Sequence, residues 1–110
     1  MTLVNSVNPL KRVEFIALAR EEFLAEVAYY NAAQAELGVK FSMAVEQAVK
    51  LAAEFPDVGS ASGSGTRRVI VKGFPFSVIY KSFTDRLIIF AIAHQSRRPR
   101  YWSARVSSNF

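Results

Sequence analysis

Cysteine is absent from this sequence of 110 residues, and histidine and tryptophan each occur once. Without cysteine the chain forms no disulfide, no thiolate metal site and no cysteine nucleophile, and a reducing cytoplasm is the expected compartment. A single histidine cannot form a histidine metal cluster, and we expect neither a metal nor another cofactor. The longest apolar run, residues 87 to 93, is far shorter than the roughly 20 residues of a membrane helix, so we expect no membrane contact.

Acidic side chains are scarce in the second part of the chain. Residues 1 to 65 contain five basic and eight acidic side chains, a net charge of −3, whereas residues 66 to 110 contain nine basic and one acidic, a net charge of +8. Such an excess creates a positive field that attracts polyanions. Solubility alone is one explanation, but the concentration of charge favours an acidic partner or nucleic acid.

The length is that of one domain with one hydrophobic core. The first residues have no basic start followed by an apolar core, so they do not indicate a signal peptide. We predict a short N-terminal extension over residues 1 to 12 and a single domain over residues 13 to 110.

Two helices are predicted after a first strand at residues 13 to 18. The first helix begins near Ala19 and ends at Gly38, with Glu21, Glu22 and Glu26 mostly outward. The second helix has an apolar stripe and ends at Phe55, before a proline. Because the link is short, the helices should form an antiparallel hairpin. The stripe residues are Phe41, Val45, Ala48, Val49 and Ala52.

Residues 57 to 66, rich in glycine and serine, are interpreted as a mobile crossover loop. Three strands follow, at residues 67 to 72, 76 to 82 and 87 to 94, and their short links predict an antiparallel meander. The last strand is apolar at nearly every position, so it should be covered on both faces. Together the elements predict an α+β fold of order β-α-α-β-β-β, with the hairpin packed on one face of the sheet. Residues 99 to 102 either start a short final helix or run irregularly.

His94 ends the last predicted strand. By strict alternation it shares a face with Ile88, Phe90 and Ile92. Its side chain either caps the edge of the core through a hydrogen bond or acts as a general acid or base, and the residues themselves leave both roles open.

Cationic side chains surround this histidine in the sequence. Alternation places Arg68 and Lys72 on one face, and arginine binds phosphate and carboxylate equally well. Tyr101 and Trp102 add flat surfaces for base stacking, although aromatic residues after a strand commonly fold back as a lid on the core. The cations are Arg67, Arg68, Lys72, Lys81, Arg97, Arg98 and Arg100.

Several stretches together resemble the RelE/ParE superfamily of toxins from type II toxin–antitoxin (plasmid stabilisation) systems. They are EFLAEVAYY, LGVKF and FPDVG in the first part of the chain, then RRVIVKGFPFSVIYK and AIAHQSRRPRYW. The resemblance extends over about residues 13 to 105, and the most specific pair is FPFSVIY with the H-x-x-R-x-P-x-Y-W ending. The extension at residues 1 to 12 and the long Gly/Ser crossover depart from the family pattern.

This resemblance implies a compact α+β toxin that inhibits growth when free of its cognate antitoxin, which would wrap it with an acidic, partly helical segment. ParE-like members poison DNA gyrase without catalytic residues of their own, and the H-x-x-R ending is closer to the ParE-like members. We therefore expect a gyrase-directed toxin, with ribosome-dependent cleavage of mRNA, as in RelE-like members, as the alternative.

The two targets imply different roles for the same residues. As a ribonuclease, the chain would use His94 and Tyr101 for proton transfer, and Arg68 and Lys81 at the scissile phosphate. Whether the protein is an enzyme stays open at this point. The residues expected to bind the target or the antitoxin are Arg67, Lys72, Arg97, Arg98, Arg100 and Trp102.

Overall fold

The computed structural model describes residues 11 to 109, so most of the predicted N-terminal extension lies outside the described residues. The described part contains five strands and three helices. In chain order they are β1 (Arg12–Phe15), α1 (Ala17–Ala33), α2 (Leu37–Glu54), β2 (Ser60–Gly63), β3 (Thr66–Val71), β4 (Phe76–Ser82), β5 (Arg86–His94) and α3 (Ser103–Asn109).

The strands form one mixed sheet in the order β1-β5-β4-β3-β2. Strand β1 pairs with β5 in parallel, and the remaining neighbours are antiparallel. The predicted α+β fold with an N-terminal strand, a helical hairpin and an antiparallel meander is thereby confirmed. The meander has one strand more than predicted, and a short helix follows it.

Both faces of β5 are covered, as expected for a strand that is apolar at nearly every position. The α1–α2 hairpin packs on one face, while α3 packs on the other around a smaller cluster. Each large apolar side chain that is fully buried contributes about 1.5–3 kcal/mol to stability. The hairpin-side cluster includes Phe41, Val45, Val71, Phe76, Val78, Leu87 and Ile89, and the α3-side cluster contains Ile79, Ile88, Phe90, Ala91, Trp102 and Val106.

The glycine- and serine-rich segment is not a mobile crossover, because residues Ser60–Gly63 form the edge strand β2. Here the glycines provide turn geometry: Gly63 and Gly65 have φ of 91° and 76°, which residues with a Cβ rarely adopt. The hydroxyl of Thr66 donates to the carbonyl of Gly63 at 2.6 Å and closes the turn. Composition alone did not distinguish a hairpin from a linker.

A buried tyrosine holds the entry to this hairpin in place. The hydroxyl of Tyr80 donates to the carbonyl of Pro56 at 2.7 Å and accepts the N–H of Gly59 at 3.1 Å. Burial raises the pKa of Tyr80 above its ordinary value, so the hydroxyl stays protonated and able to donate. The segment between α2 and β2 is therefore held at two backbone groups.

The first elements begin and end earlier than predicted. Strand β1 ends at Phe15, and α1 begins at Ala17, so Leu18 is helical. The N–H of Ile16 donates to the carbonyl of Ile89 at 3.1 Å, and the N–H of Arg20 donates to the carbonyl of Ile16 at 3.0 Å. Ile16 thus ends the strand pairing and starts the helix, although its residue type favours a strand.

Gly38 does not end the first helix as predicted but is the second residue of α2. It is buried where the two helices approach each other, and a Cβ there would lie 2.4 Å from the carbonyl oxygen of Val27. Its N–H donates to Oδ1 of Asn31 at 2.8 Å. Gly38 is a glycine because the close approach of the two helices leaves no room for a Cβ, and not because a helix ends there.

The last strand contains a β-bulge that changes which face His94 occupies. The register steps from Tyr80↔Ile89 to Ile79↔Ala91, so Phe90 is the extra residue. The bulge shifts the alternation by one residue. The prediction that His94 shares a face with Ile88 and Phe90 is therefore wrong, because His94 lies opposite Phe76, which faces the hairpin.

Within residues 11 to 109, none of the helices combines the length and apolarity that crossing a bilayer requires.

Replacing Gly38 with alanine should destabilise the fold. The added methyl group meets backbone at the helix crossing, and overpacking of this kind costs about 1–3 kcal/mol, more than the helix propensity that alanine gains. Chemical denaturation of Gly38→Ala should show a lower midpoint, whereas Val39→Ala, at an exposed neighbouring position, should stay within about 0.5 kcal/mol of the original. Equal stability of the two variants would contradict this account of the crossing.

Candidate functional site

A cleft of about 610 Å³ lies on the face of the sheet opposite the helical hairpin. Its floor is apolar and includes Ile70, Ile79 and Ala93, with Trp102 at one side. The segment of residues 95 to 101 forms one wall, and the tip of the β2–β3 hairpin forms the other. The edge strand β2, which composition analysis missed, is therefore part of the site.

Four arginines line the cleft and give it its charge. Arg68 comes from β3, while Arg97, Arg98 and Arg100 come from the segment after β5. No aspartate or glutamate is among the described lining residues. None of the four guanidinium groups is in a described salt bridge, since those pairs involve other arginines. The cleft is strongly positive, and no described carboxylate neutralises these four charges.

Backbone contacts fix the wall that contains three of these arginines. The N–H of Gln95 donates to the carbonyl of Pro75, and the N–H of Tyr101 donates to that of Arg98. Arg100 adopts a left-handed φ of 59°. A Cβ on Gly63 would lie 2.8 Å from its Nε, so the side chain of Arg100 lies directly on the glycine turn. This contact closes one end of the cleft.

The carboxylate of Glu22, from α1, anchors this wall to the bulge in β5. Its Oε1 accepts the N–H of Ile92 at 3.0 Å, next to the interrupted ladder. Arg105 of α3 donates to the carbonyl of Phe90 at 3.0 Å. Arg105 also donates to both oxygens of Glu22, at 3.0 and 2.9 Å, in a bidentate pair. Side chains thus bind the β5 backbone just beyond the point where its pairing with β1 ends.

Tyr101 completes the same network. Its hydroxyl donates to Oε2 of Glu22 at 2.7 Å. Burial, together with the hydrogen bond to the carboxylate, raises the pKa of Tyr101 well above its ordinary value near 10. The guanidinium of Arg97 lies over the tyrosine ring, 3.8 Å from its centroid, so the network also positions one of the cleft arginines.

His94 lies at the rim of the cleft, but its ring contacts the other face of the sheet. The ring packs edge-on against Phe76 at a centroid distance of 4.8 Å. Nδ1 accepts the N–H of Ser96 at 2.9 Å and lies 2.8 Å from the Ser96 hydroxyl. The histidine shapes the turn after β5, and its catalytic role stays a prediction.

The structure brings some of the predicted site residues together and separates others. The cleft joins Arg68, Arg97, Arg98 and Arg100 with His94, Tyr101 and Trp102.

Three predicted cations lie elsewhere. Arg67 points to the hairpin side, where it donates to the carbonyl of Gly59 at 2.8 Å and pairs weakly with Asp57 at 3.8 Å. Lys81 lies over the ring of Phe83, and Lys72 follows the end of β3, in a neighbouring groove.

Trp102 is located in the core, with 3% of its surface exposed. This is the lid position that the sequence left open as an alternative to base stacking. A contribution of Trp102 to binding stays a prediction. In the structure its side chain packs in the same buried cluster as Ile79, beneath the floor of the cleft.

Sequence reasoning missed Glu22 and Arg105. Glu22 was expected to point outward, but its side chain is 18% exposed and that of Arg105 is 14% exposed. One signal was present: Glu22 lies three residues after Ala19, which is fully buried, and positions i and i+3 share a helix face. Nothing in the sequence of α3 marks Arg105 as its partner.

No group of three or more histidine, cysteine or acidic side chains suited to a metal ion occurs among residues 11 to 109.

The fold and the cleft define a small α+β domain of a kind seen in toxin–antitoxin systems. The chain is similar to a solved structure titled "Chromosomal ParDE TA system from P. aeruginosa", with 17% identity, a TM-score of 0.66, and coverage of 77% of this chain and 96% of that chain. At this identity the likeness shows the fold. No curated protein matches the sequence.

The family follows from the sequence. The model described as "ParE toxin of type II toxin-antitoxin system, parDE" matches residues 13–99. The chain therefore belongs to this family of ParE toxins, which confirms the resemblance to the RelE/ParE superfamily. Residues 100 to 105 lie beyond the matched range. The part of the network on α3 is therefore known from the structure and not from the family match.

Removing the carboxylate of Glu22 should destabilise the protein strongly. Glu22→Ala leaves the guanidinium of Arg105 buried without its bidentate partner and takes away the acceptor of the Ile92 N–H. Breaking a buried pair on one side costs about 3–5 kcal/mol. Thermal denaturation should show a large fall in Tm, while the exposed neighbour in Glu21→Ala should change stability by less than about 0.5 kcal/mol. A small effect of Glu22→Ala would show that the network is not needed for the fold.

The raised pKa of Tyr101 predicts a loss of stability in alkali. Because this pKa is higher in the folded than in the unfolded chain, the contribution is fully present below about pH 10 and is lost as the pH rises above it. The free energy of unfolding should fall more steeply between about pH 10 and 11 for the original protein than for Tyr101→Phe. Tyr29→Phe, at a position 65% exposed, should leave the slope unchanged. Parallel slopes for the original protein and Tyr101→Phe would contradict the prediction.

Proposed function

We propose that this ParE toxin inhibits growth by binding DNA gyrase engaged with DNA, and that the cationic cleft is the surface that meets the target. Membership of the ParE family supports the assignment to a toxin–antitoxin system. The target itself is inferred from the chemistry of the cleft. As such a toxin, the protein would act in the cytoplasm, where its target is located.

The observation that carries the proposal is the state of the two groups suited to proton transfer. The hydroxyl of Tyr101 donates a hydrogen bond to Glu22, and the raised pKa of Tyr101 makes this hydroxyl a poor acid near neutral pH. Nδ1 of His94 accepts a backbone N–H, and its ring packs on Phe76. A general acid or base must reach the proton that it transfers. The cleft therefore offers charge and shape, which favours binding over cleavage.

The charge distribution also supports neutralisation by an acidic antitoxin. The unpaired arginines of the cleft would attract a segment rich in carboxylates, and guanidinium groups bind carboxylates in bidentate fashion. The similar structure from P. aeruginosa is titled as a ParDE system. We expect the cognate antitoxin to be of the ParD type and to bind with an acidic, partly helical segment.

Purified toxin should inhibit supercoiling by gyrase and cause cleaved DNA to accumulate in the gyrase–DNA complex. Arg68→Gln with Arg98→Gln should weaken this inhibition at least several-fold, since both charges lie in the cleft. Arg20→Gln, an exposed change on α1, should not. Electrophoresis of relaxed and cleaved plasmid gives the measurement.

The alternative makes the opposite prediction. Full gyrase activity at toxin excess, together with codon-positioned breaks in ribosome-bound mRNA that disappear in His94→Ala, would replace the proposal with a ribosome-dependent endoribonuclease. Mapping of mRNA ends during growth arrest distinguishes the two.

A further inference from the structure

We infer that the ligand of the cleft is a phosphodiester strand, and that in the proposed gyrase complex the cleft holds DNA and not a gyrase side-chain surface. This inference rests on the proposed function and names the partner group at its site. It is carried by the hydrogen-bonding chemistry of the lining, by the placement of the charges on two separate elements and by the composition of the floor.

The lining arginines offer many donors, and the lining contains no carboxylate. A guanidinium group has five N–H donors and no acceptor, and Arg68 and Arg98 have no described side-chain partner. A ligand that satisfies them must consist mostly of acceptors. Phosphodiester oxygens meet this condition, because a nucleic acid backbone has repeated acceptors and a negative charge at every unit.

An acidic peptide fits the same lining less well. Its own backbone N–H groups are donors that need acceptors, and guanidinium groups provide none. In an extended peptide, successive side chains also point to opposite faces. Only every second carboxylate would then face the arginines, whereas a phosphodiester strand presents a charge at each nucleotide.

The charges come from two separate elements of the cleft lining. Arg68 projects from β3, and the other three arginines project from the wall formed by residues 95 to 101. The wall is fixed by backbone hydrogen bonds and by the contact of Arg97 with Tyr101. A strand lying along the cleft would meet cations from both elements without a rearrangement of the protein.

The floor predicts weak sequence preference. It is formed mainly by Ile70, which is 65% exposed, with Ile79 and Ala93 beside it. Aliphatic side chains contact sugars and base faces but do not distinguish base edges by hydrogen bonds. The indole of Trp102 is buried, and the binding expected here does not depend on base stacking against it. Binding should therefore depend on salt more than on sequence.

Fluorescence anisotropy with a labelled single-stranded 20-nucleotide DNA tests the inference. Four phosphate contacts predict a slope of log K against log salt of about −2.8, which is about a 50-fold loss of affinity between 50 and 200 mM salt. Arg68→Gln and Arg98→Gln should each lower the magnitude of the slope by about 0.7. Arg20→Gln, which removes the same charge outside the cleft, should leave the slope unchanged.

Three results would overturn the inference. One is a slope that Arg68→Gln and Arg98→Gln do not change. Another is tighter binding of an RNA of the same sequence than of DNA. The third is displacement of more than half of the DNA by polyglutamate at equal charge concentration, which would show that the cleft prefers an acidic protein segment, such as the one expected in the antitoxin, to DNA. Retained secondary structure of the variants, measured by circular dichroism, excludes unfolding as the cause of lost binding.

The outcome is separable from the proposed function. The toxin could poison gyrase while both cleft variants bind DNA with an unchanged salt dependence. This result would support the gyrase proposal and contradict the assignment of DNA to the cleft. Conversely, cleft-dependent DNA binding with full gyrase activity would overturn the gyrase proposal and leave the ligand class supported.

Discussion

Strand β1 ends opposite Ile89, so the backbone groups of β5 just beyond this residue have no strand partner on that side and must find other partners or lose stability. In this protein the carboxylate of Glu22 and the guanidinium of Arg105 supply those partners. The same carboxylate accepts the hydroxyl of Tyr101. One side chain of α1 thereby connects the hairpin on one face of the sheet with α3 and the cleft wall on the other, and the geometry of the site depends on it.

The arginines divide into two groups with different surroundings. Arg105 is bound to a carboxylate and a backbone carbonyl, and Arg67 donates to the carbonyl of Gly59. Arg68, the next residue along β3, points to the opposite face and lines the cleft. Strand alternation thus gives adjacent arginines separate roles, one in holding the fold and the other in presenting charge. The overall positive charge of the second half of the chain did not reveal this division.

The sequence predicted those features that depend on local pattern. Apolar periodicity located α2 and the strands β3 to β5, and the run of apolar residues identified β5 as central. The features it missed depend on contacts between distant residues. The face of His94 depends on a bulge set by pairing with β4, the burial of Glu22 depends on Arg105, and the size of Gly38 depends on the helix crossing. Hairpin turns and flexible linkers are both rich in glycine and serine. The composition of residues 57 to 66 therefore does not distinguish the two, and only the pairing with β3 identifies β2 as a strand.

The unpaired charge of the cleft has a consequence for stability as well as for binding. Like charges held close together in one cleft repel each other and reduce the stability of the folded state. The network around Glu22 opposes this by fixing one wall to the core through hydrogen bonds that the unfolded chain lacks. A polyanion that binds between the walls removes the repulsion, and because it binds the folded chain it also raises the apparent stability by mass action. Binding of a polyanion in the cleft and the stability of the folded protein are therefore coupled through the same four arginines.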